Sequence, residues 1–223
     1  MASLRTVGTE ALALGTVVAS IPLRFLMPDD RFDPDAHHPT PVVLVHGLFG
    51  DPTNFLFLQR HLSARGIANF ASFSYGPRFD YQRLAVQLGH AIDALCQATG
   101  APVVDVVGHS LGGLIGRYLV ELAPEGRVRR LVTLGAPYFT PHLPPHELAV
   151  FGAADPLIPA PHPIHGPHPS HCRPEGGVVV VPECGHWGLL YHGAAMQAAA
   201  SYLGVAELVE IAAPPPLALE AAS

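Results

Sequence analysis

One stretch constrains this chain more than any other: Val103-Val104-Asp105-Val106-Val107 followed at once by Gly108-His109-Ser110-Leu111-Gly112-Gly113. Four valines around one aspartate read as a strand buried on both faces, the kind found in parallel sheets. From about Leu111 to Leu122 the pattern is helical. A strand can pass into a helix over so short a link only by a sharp turn in which glycines let the two elements approach. Ser110, at the apex, is then pushed out at a helix N-terminus, where free N–H groups and the helix dipole favour an anion. The plainer alternative is a glycine-rich turn whose serine merely caps the helix.

The same alternation runs through the rest of the chain. Val42 to Val45 reads as a strand, and Asp51 before Pro52 starts a helix that runs to about Arg65, with Gly66 just past its end. Ile67 to Phe73 is the next predicted strand. Asp80 caps a helix carrying Leu84, Leu88, Ile92 and Leu95, which ends near Gly100. Strands are predicted at Val128–Leu134, Leu148–Phe151 and Val178–Val181, with a last helix over about Gly188–Leu203. This predicts an α/β fold of three layers, a mostly parallel central sheet with helices on both faces. The division is residues 1–40 as N-terminal segment and linker, 41–205 as the α/β domain, and 206–223 as a Pro/Ala-rich tail.

Composition narrows the function classes. With 49% hydrophobic and 13% charged residues the chain can build a core and is not a disordered one. Net charge is −6, the twelve basic residues are all Arg, and no basic patch is in view, which argues against nucleic acid as a partner. Near the N-terminus, the apolar stretch Ala11 to Ile21 has the length of a signal-peptide core and is too short to span a bilayer. Glu10 and the thin positive charge weigh against secretion; a helix lying on the domain, or making peripheral contact with a membrane, is the alternative. A secreted or envelope-associated location is favoured, with a cytoplasmic one as the alternative. Cys172 and Cys184 flank one predicted strand and are candidates for a disulfide, whereas Cys96 reads as a buried apolar residue.

In a parallel sheet, ligands sit beyond the carboxyl ends of the strands, so chemistry belongs in the loops there. A serine hydroxyl needs a base to act as a nucleophile. His186, in Cys184-Gly185-His186-Trp187-Gly188-Leu189-Leu190, follows the last strand and is the candidate. Its rivals read otherwise: His109 is turned away by the elbow, His46 packs beneath the first loop, and His192 lies in the last helix. Asp155, in Phe151-Gly152-Ala153-Ala154-Asp155-Pro156, is the candidate to orient the base, completing the order Ser, Asp, His. Asp105, inside a strand, reads as a buried structural carboxylate, and Asp80 as a cap. Val45-His46-Gly47-Leu48-Phe49-Gly50 follows the first strand, and backbone N–H groups of Leu48 and Leu111 are the candidate oxyanion donors.

Two further features bear on access. His162 to His171 holds four histidines; a metal site is one reading, but prolines between them and the lack of a nearby carboxylate favour a solvated loop. The proline-rich connection from Gly135 to Glu147 has no room for a helical cap. An open cleft bordered by Leu48, Phe49, Tyr138, Phe139, Leu157, Ile158, Trp187 and Leu189 would suit short to medium acyl chains.

Together VVLVHGLFG, VDVVGHSLGG, LVTLGAP, FGAADPLIP and CGHWGLLY resemble the small, lid-less bacterial triacylglycerol lipases and esterases of the α/β-hydrolase superfamily, over about residues 41–203. The resemblance implies an α/β-hydrolase fold with little or no cap. It implies Ser110, Asp155 and His186 as the catalytic triad, Leu48 and Leu111 at the oxyanion hole, and Phe49, Tyr138, Leu157 and Trp187 near the substrate. It implies cleavage of a small ester or lipid through an acyl-enzyme, with no metal or organic cofactor. Thioesterases, acyltransferases and polyester hydrolases use the same triad, and a non-catalytic binding protein could retain the pocket. Oligomeric state is left open.

Overall fold

The alternation of side chains along the valine-rich strands decides the layering. The computed structural model describes residues 4–20, 32–137, 146–160 and 177–204. Within them, six strands form one parallel sheet: β1 (Val42–Val45), β2 (Phe70–Phe73), β3 (Val104–His109), β4 (Val128–Leu134), β5 (Glu147–Gly152) and β6 (Gly177–Val181). Their spatial order is β2-β1-β3-β4-β5-β6. Five helices accompany them: α1 (Leu4–Ser20), α2 (Leu56–Ser63), α3 (Tyr81–Thr99), α4 (Leu111–Leu122) and α5 (Gly193–Leu203).

Successive strand residues face opposite sides. Val43, Val45, Val104 and Val106 pack with Leu84, Leu88 and Ile92 of α3 and Leu114, Ile115 and Leu119 of α4. Val42, Leu44, Val107, Val132 and Val150 pack with Leu58 and Leu62 of α2 and Ala195, Ala199 and Leu203 of α5. This is the expected three-layer α/β-hydrolase fold. The chain leaves β1 for β2 on one side and returns to β3 on the other. That reversal opens a crevice beyond the carboxyl ends of β1 and β3, the usual place for a ligand in such sheets.

Local signals set most element ends. Asp51 caps the 3-10 turn Pro52–Phe55 that leads into α2: its side chain accepts from Thr53 N, while Asn54 returns a bond to Asp51 N. Asp80 caps α3 and Gly100 closes it at φ +73°. Two expectations need correction. The last helix does not start at Gly188; a 3-10 turn over Gly188–Leu190 ends at Tyr191, and His192 then caps α5 by accepting from Ala194 N at 3.2 Å. Strand β2 covers only Phe70–Phe73, because Ile67 turns into the core and Asn69 Nδ2 donates to the Asp33 and Pro39 carbonyls.

Buried charge ties the layers together. Arg117 of α4 and Glu147 of β5 are 1% and 0% exposed. The guanidinium reaches Glu147 through Nε at 2.8 and 3.0 Å, the Ala136 and Pro137 carbonyls through Nη1, and Thr133 Oγ1 through Nη2. Asp105 is fully buried at the opposite end of β3, where Arg129 and His38 hold it, so it serves the sheet and not the Ser110 side. Cys96 and Cys184 are free buried thiols; Cys172 lies outside the described residues. No helix among the described residues is long and apolar enough to cross a membrane. On α1, Val7, Leu12 and Leu14 are exposed.

Glu147→Ala leaves the Arg117 guanidinium buried without its counter-charge. The variant is expected to lose about 3–5 kcal/mol of folding stability, measured by urea unfolding, because an uncompensated buried charge is costly.

Candidate active site

The elbow begins with a close approach that only glycine permits. A Cβ at Gly112 would run into the Val45 carbonyl, so the first turn of α4 lies directly against the end of β1. Between β3 and α4, Ser110 adopts φ +52°, ψ −121°, a left-handed conformation unusual for a residue with a side chain. Its N–H donates to the Leu134 carbonyl at 2.9 Å, and its carbonyl accepts from Gly113 and Leu114. Its side chain makes no capping bond, so the capping role considered for Ser110 does not apply.

The loop after β1 lies beside the elbow: a Cβ at Gly47 would meet Ser110 Cβ at 3.1 Å. His46 donates through Nδ1 to the Gly47 carbonyl at 2.8 Å and stacks on Tyr75 with ring centroids 4.5 Å apart. Tyr75 in turn donates its hydroxyl to the His46 carbonyl at 2.6 Å. Phe49 sits at φ +57° and is 75% exposed, so its ring stands out from the loop rather than packing. Leu48 lies within this loop and Leu111 at the first position of α4, where a backbone N–H has no helical acceptor.

Asp155 and His186 meet across the ends of β5 and β6. His186 Nδ1 donates to Asp155 Oδ2 at 2.7 Å, and both side chains are almost wholly buried. The other oxygen, Asp155 Oδ1, accepts from Leu157 N and Ile158 N, both at 2.8 Å, which fixes the carboxylate on its own turn. Gly135, at φ +58°, passes this pair so closely that a Cβ there would come within 3.2 Å of His186 Nδ1 and 3.3 Å of Asp155 Oδ2. Among the described residues no hydrogen bond joins Ser110 to His186; their loops meet instead through His109.

His109 carries the contact that the sequence did not foretell. Its Nε2 donates to the His186 backbone carbonyl at 3.1 Å, and its ring lies 4.8 Å from that of His186. Complete burial, reinforced by His186, pushes its pKa down to about 3, so it is a neutral donor and not a competing base.

A sequence model of the α/β-hydrolase-fold family matches residues 40–157, from the residues before β1 through Asp155. The chain belongs to the α/β-hydrolase family. The match includes Ser110 and Asp155 and stops short of His186. Triacylglycerol lipases from Pseudarthrobacter phenanthrenivorans and Burkholderia plantarii are each 33% identical over 110 residues, 44% of this chain and 33% and 29% of theirs. The chain thus spans about a third of the length of these relatives. In structure it is similar to a lid-less α/β serine hydrolase from Xanthomonas campestris, with a TM-score of 0.56 at 14% identity over 80% of this chain and 89% of that one.

The structure puts the remaining candidates in different settings. Leu157 is 55% exposed, and Trp187 is half-buried with its ring edge-on to His186 at 5.4 Å. Leu189 is fully buried against Gly135, so it belongs to the core and not to the cleft border expected for it. Tyr138, Phe139 and the histidine-rich segment 162–171 lie outside the described residues. Among the described residues no group of three metal-ligating side chains converges. A cavity of about 530 Å³ lies beside α1 and the His186 loop, lined by Thr9, Ala13, Phe57, Cys184 and Tyr191.

His109 also leaves a mark on stability. The unfolded chain binds a proton at this histidine below pH about 6.5, whereas the folded chain does so only near pH 3. Its contribution is therefore complete above pH 6.5 and is lost as pH falls toward 3, with a slope of about 1.4 kcal/mol per pH unit. Urea unfolding of His109→Gln between pH 6 and pH 4 is expected to show a slope shallower by one proton than the wild type. An unchanged slope would show that His109 is protonated in the folded protein.

Proposed function

We propose that this protein is a serine hydrolase that cleaves carboxylic esters, an esterase or small lipase acting on short to medium acyl chains. The observation that carries the proposal is the 2.7 Å bond between His186 and Asp155 at the same sheet edge as Ser110, whose backbone is held in the left-handed region. The lipase names of the two bacterial relatives support the ester class.

In this mechanism Ser110 Oγ attacks the ester carbonyl carbon while His186 Nε2 takes the hydroxyl proton. Asp155 holds the imidazole with Nε2 facing the serine and balances the imidazolium that forms. The backbone N–H groups of Leu48 and Leu111 receive the oxyanion, each contributing about 10²–10³ in rate. As the tetrahedral intermediate collapses, the alcohol leaves with the proton from His186 and the acyl group stays on Ser110. Water, deprotonated by His186, then attacks the acyl carbon and releases the acid and the free serine. Closure of Ser110 Oγ onto Nε2 accompanies substrate binding, since catalytic hydrogen bonds commonly tighten only in the bound complex.

The exposed Phe49 and Leu157, with the half-buried Trp187, offer apolar surface for the acyl chain. On the lid-less reading of the sequence, activity is expected to follow monomeric substrate. A steep rise once substrate forms an emulsion would contradict the lid-less reading.

The test is hydrolysis of p-nitrophenyl esters from acetate to palmitate by wild type and Ser110→Ala side by side. Wild type should turn over short and medium chains best. Ser110→Ala should lower kcat by about 10⁴–10⁶, since triad members act as a unit. Equal turnover by the two proteins would remove Ser110 from the mechanism.

A further inference from the structure

The loop that carries His186 belongs to no strand and to no long helix, and three of its backbone N–H groups point away from the sheet. They end on one side chain from the other end of the chain. Glu10 of α1 accepts from Gly185 N at 3.1 Å and Gly188 N at 2.9 Å through Oε1, and from Trp187 N at 3.0 Å through Oε2. The donors bracket His186 on both sides. A Cβ at either Gly185 or Gly188 would collide with the Glu10 carboxylate, so these two glycines form its seat. Charge-assisted bonds of this kind are about twice as strong as neutral ones.

Each side of His186 is thereby secured from a different element. Its ring is bonded to Asp155 after β5, its carbonyl to His109 of β3, and its flanking N–H groups to Glu10 of α1. Elsewhere along α1, Asn54 Nδ2 donates to the Val17 carbonyl at 3.4 Å, Val17 packs against the core, and Thr9 and Ala13 line the 530 Å³ cavity. Glu10 thus ties α1 to the His186 loop by three hydrogen bonds.

We propose that Glu10 is a positioning residue for the catalytic base: by clamping Gly185, Trp187 and Gly188 it fixes the loop from which His186 Nε2 meets Ser110 when substrate binds. This rests on the ester-hydrolase reading above. It also makes α1, the segment whose sequence reads as a leader or a surface helix, a working part of the site.

The experiment compares wild type, Glu10→Ala, Glu10→Gln and, as a control on the exposed face of α1, Val7→Ser. Each is assayed for kcat and KM on p-nitrophenyl butyrate well below its thermal midpoint. Displacing a base by about 1 Å costs on the order of 10²-fold, so Glu10→Ala should lose about 10- to 100-fold in kcat with KM within about twofold. Glu10→Gln keeps one acceptor oxygen for Gly185 and Gly188 but turns an amide toward Trp187 N–H, and should fall between the two. Val7→Ser should match wild type. Hydrogen exchange in the peptide containing residues 185–188 should rise in the same order as kcat falls. Wild-type kcat in folded Glu10→Ala, or an equal loss in Glu10→Gln and Val7→Ser, would overturn the role of Glu10. If wild type cleaves no ester at all, the ester-hydrolase reading fails and this one with it.

Discussion

The structure depends on one close approach, the first turn of α4 against the carboxyl end of β1. Gly112 permits it, and Ser110, two residues before, stands in the left-handed region. A non-glycine residue held there stores on the order of 1–3 kcal/mol, which the surroundings must outweigh. They do so by over-determining the backbone. Ser110 N–H is committed to β4, its carbonyl to α4, and the strands on either side of β3 are paired along their length. The buried Arg117–Glu147 pair then locks α4 to β5 and to the turn at Ala136 and Pro137, next to Gly135 and the Asp155–His186 contact. The strain is local, but what sustains it spans the sheet.

The candidate base is held on a different principle. His186 lies on an irregular loop and draws its position from side chains contributed by other elements. Asp155 is fixed by its own tight turn before it meets the ring, and His109 is kept neutral by burial so that it remains a donor to the His186 carbonyl. In our proposal Glu10 adds a third tie. In the proposed reaction the elbow fixes the Ser110 backbone and the ties fix the His186 loop, so a rotation of the Ser110 side chain is enough to bring Oγ onto Nε2 when substrate arrives.

What was legible in the sequence was what is local in the chain. The elbow, the buried strands and the caps at Asp51, Asp80 and Gly100 are signals spread over a few residues, and each matches its element. The fold class followed from their alternation. Boundaries slipped where one side chain redirected the backbone: His192 captures an N–H and separates the 3-10 turn from α5, and Asn69 spends itself on the segment before β1 and shortens β2. What no pattern carried was pairing at long range. Arg117 and Glu147 are isolated charges in apolar segments, and nothing nearby says that they meet. Glu10 lies far from the glycines that seat it. His109 read as a bystander because adjacency to a nucleophile says nothing of where a ring points. Leu189 sits in the motif beside His186, yet the turn after it sends the side chain into the core.

In our proposal Ser110 is a nucleophile activated by His186. Mass spectrometry of the intact protein and its peptides, after treatment with a fluorophosphonate, tests it most directly. One covalent adduct per chain is expected, on Ser110, formed quickly by wild type and at a small fraction of that rate by His186→Ala. A folded protein that takes up no label, or takes it up on another residue, would contradict it.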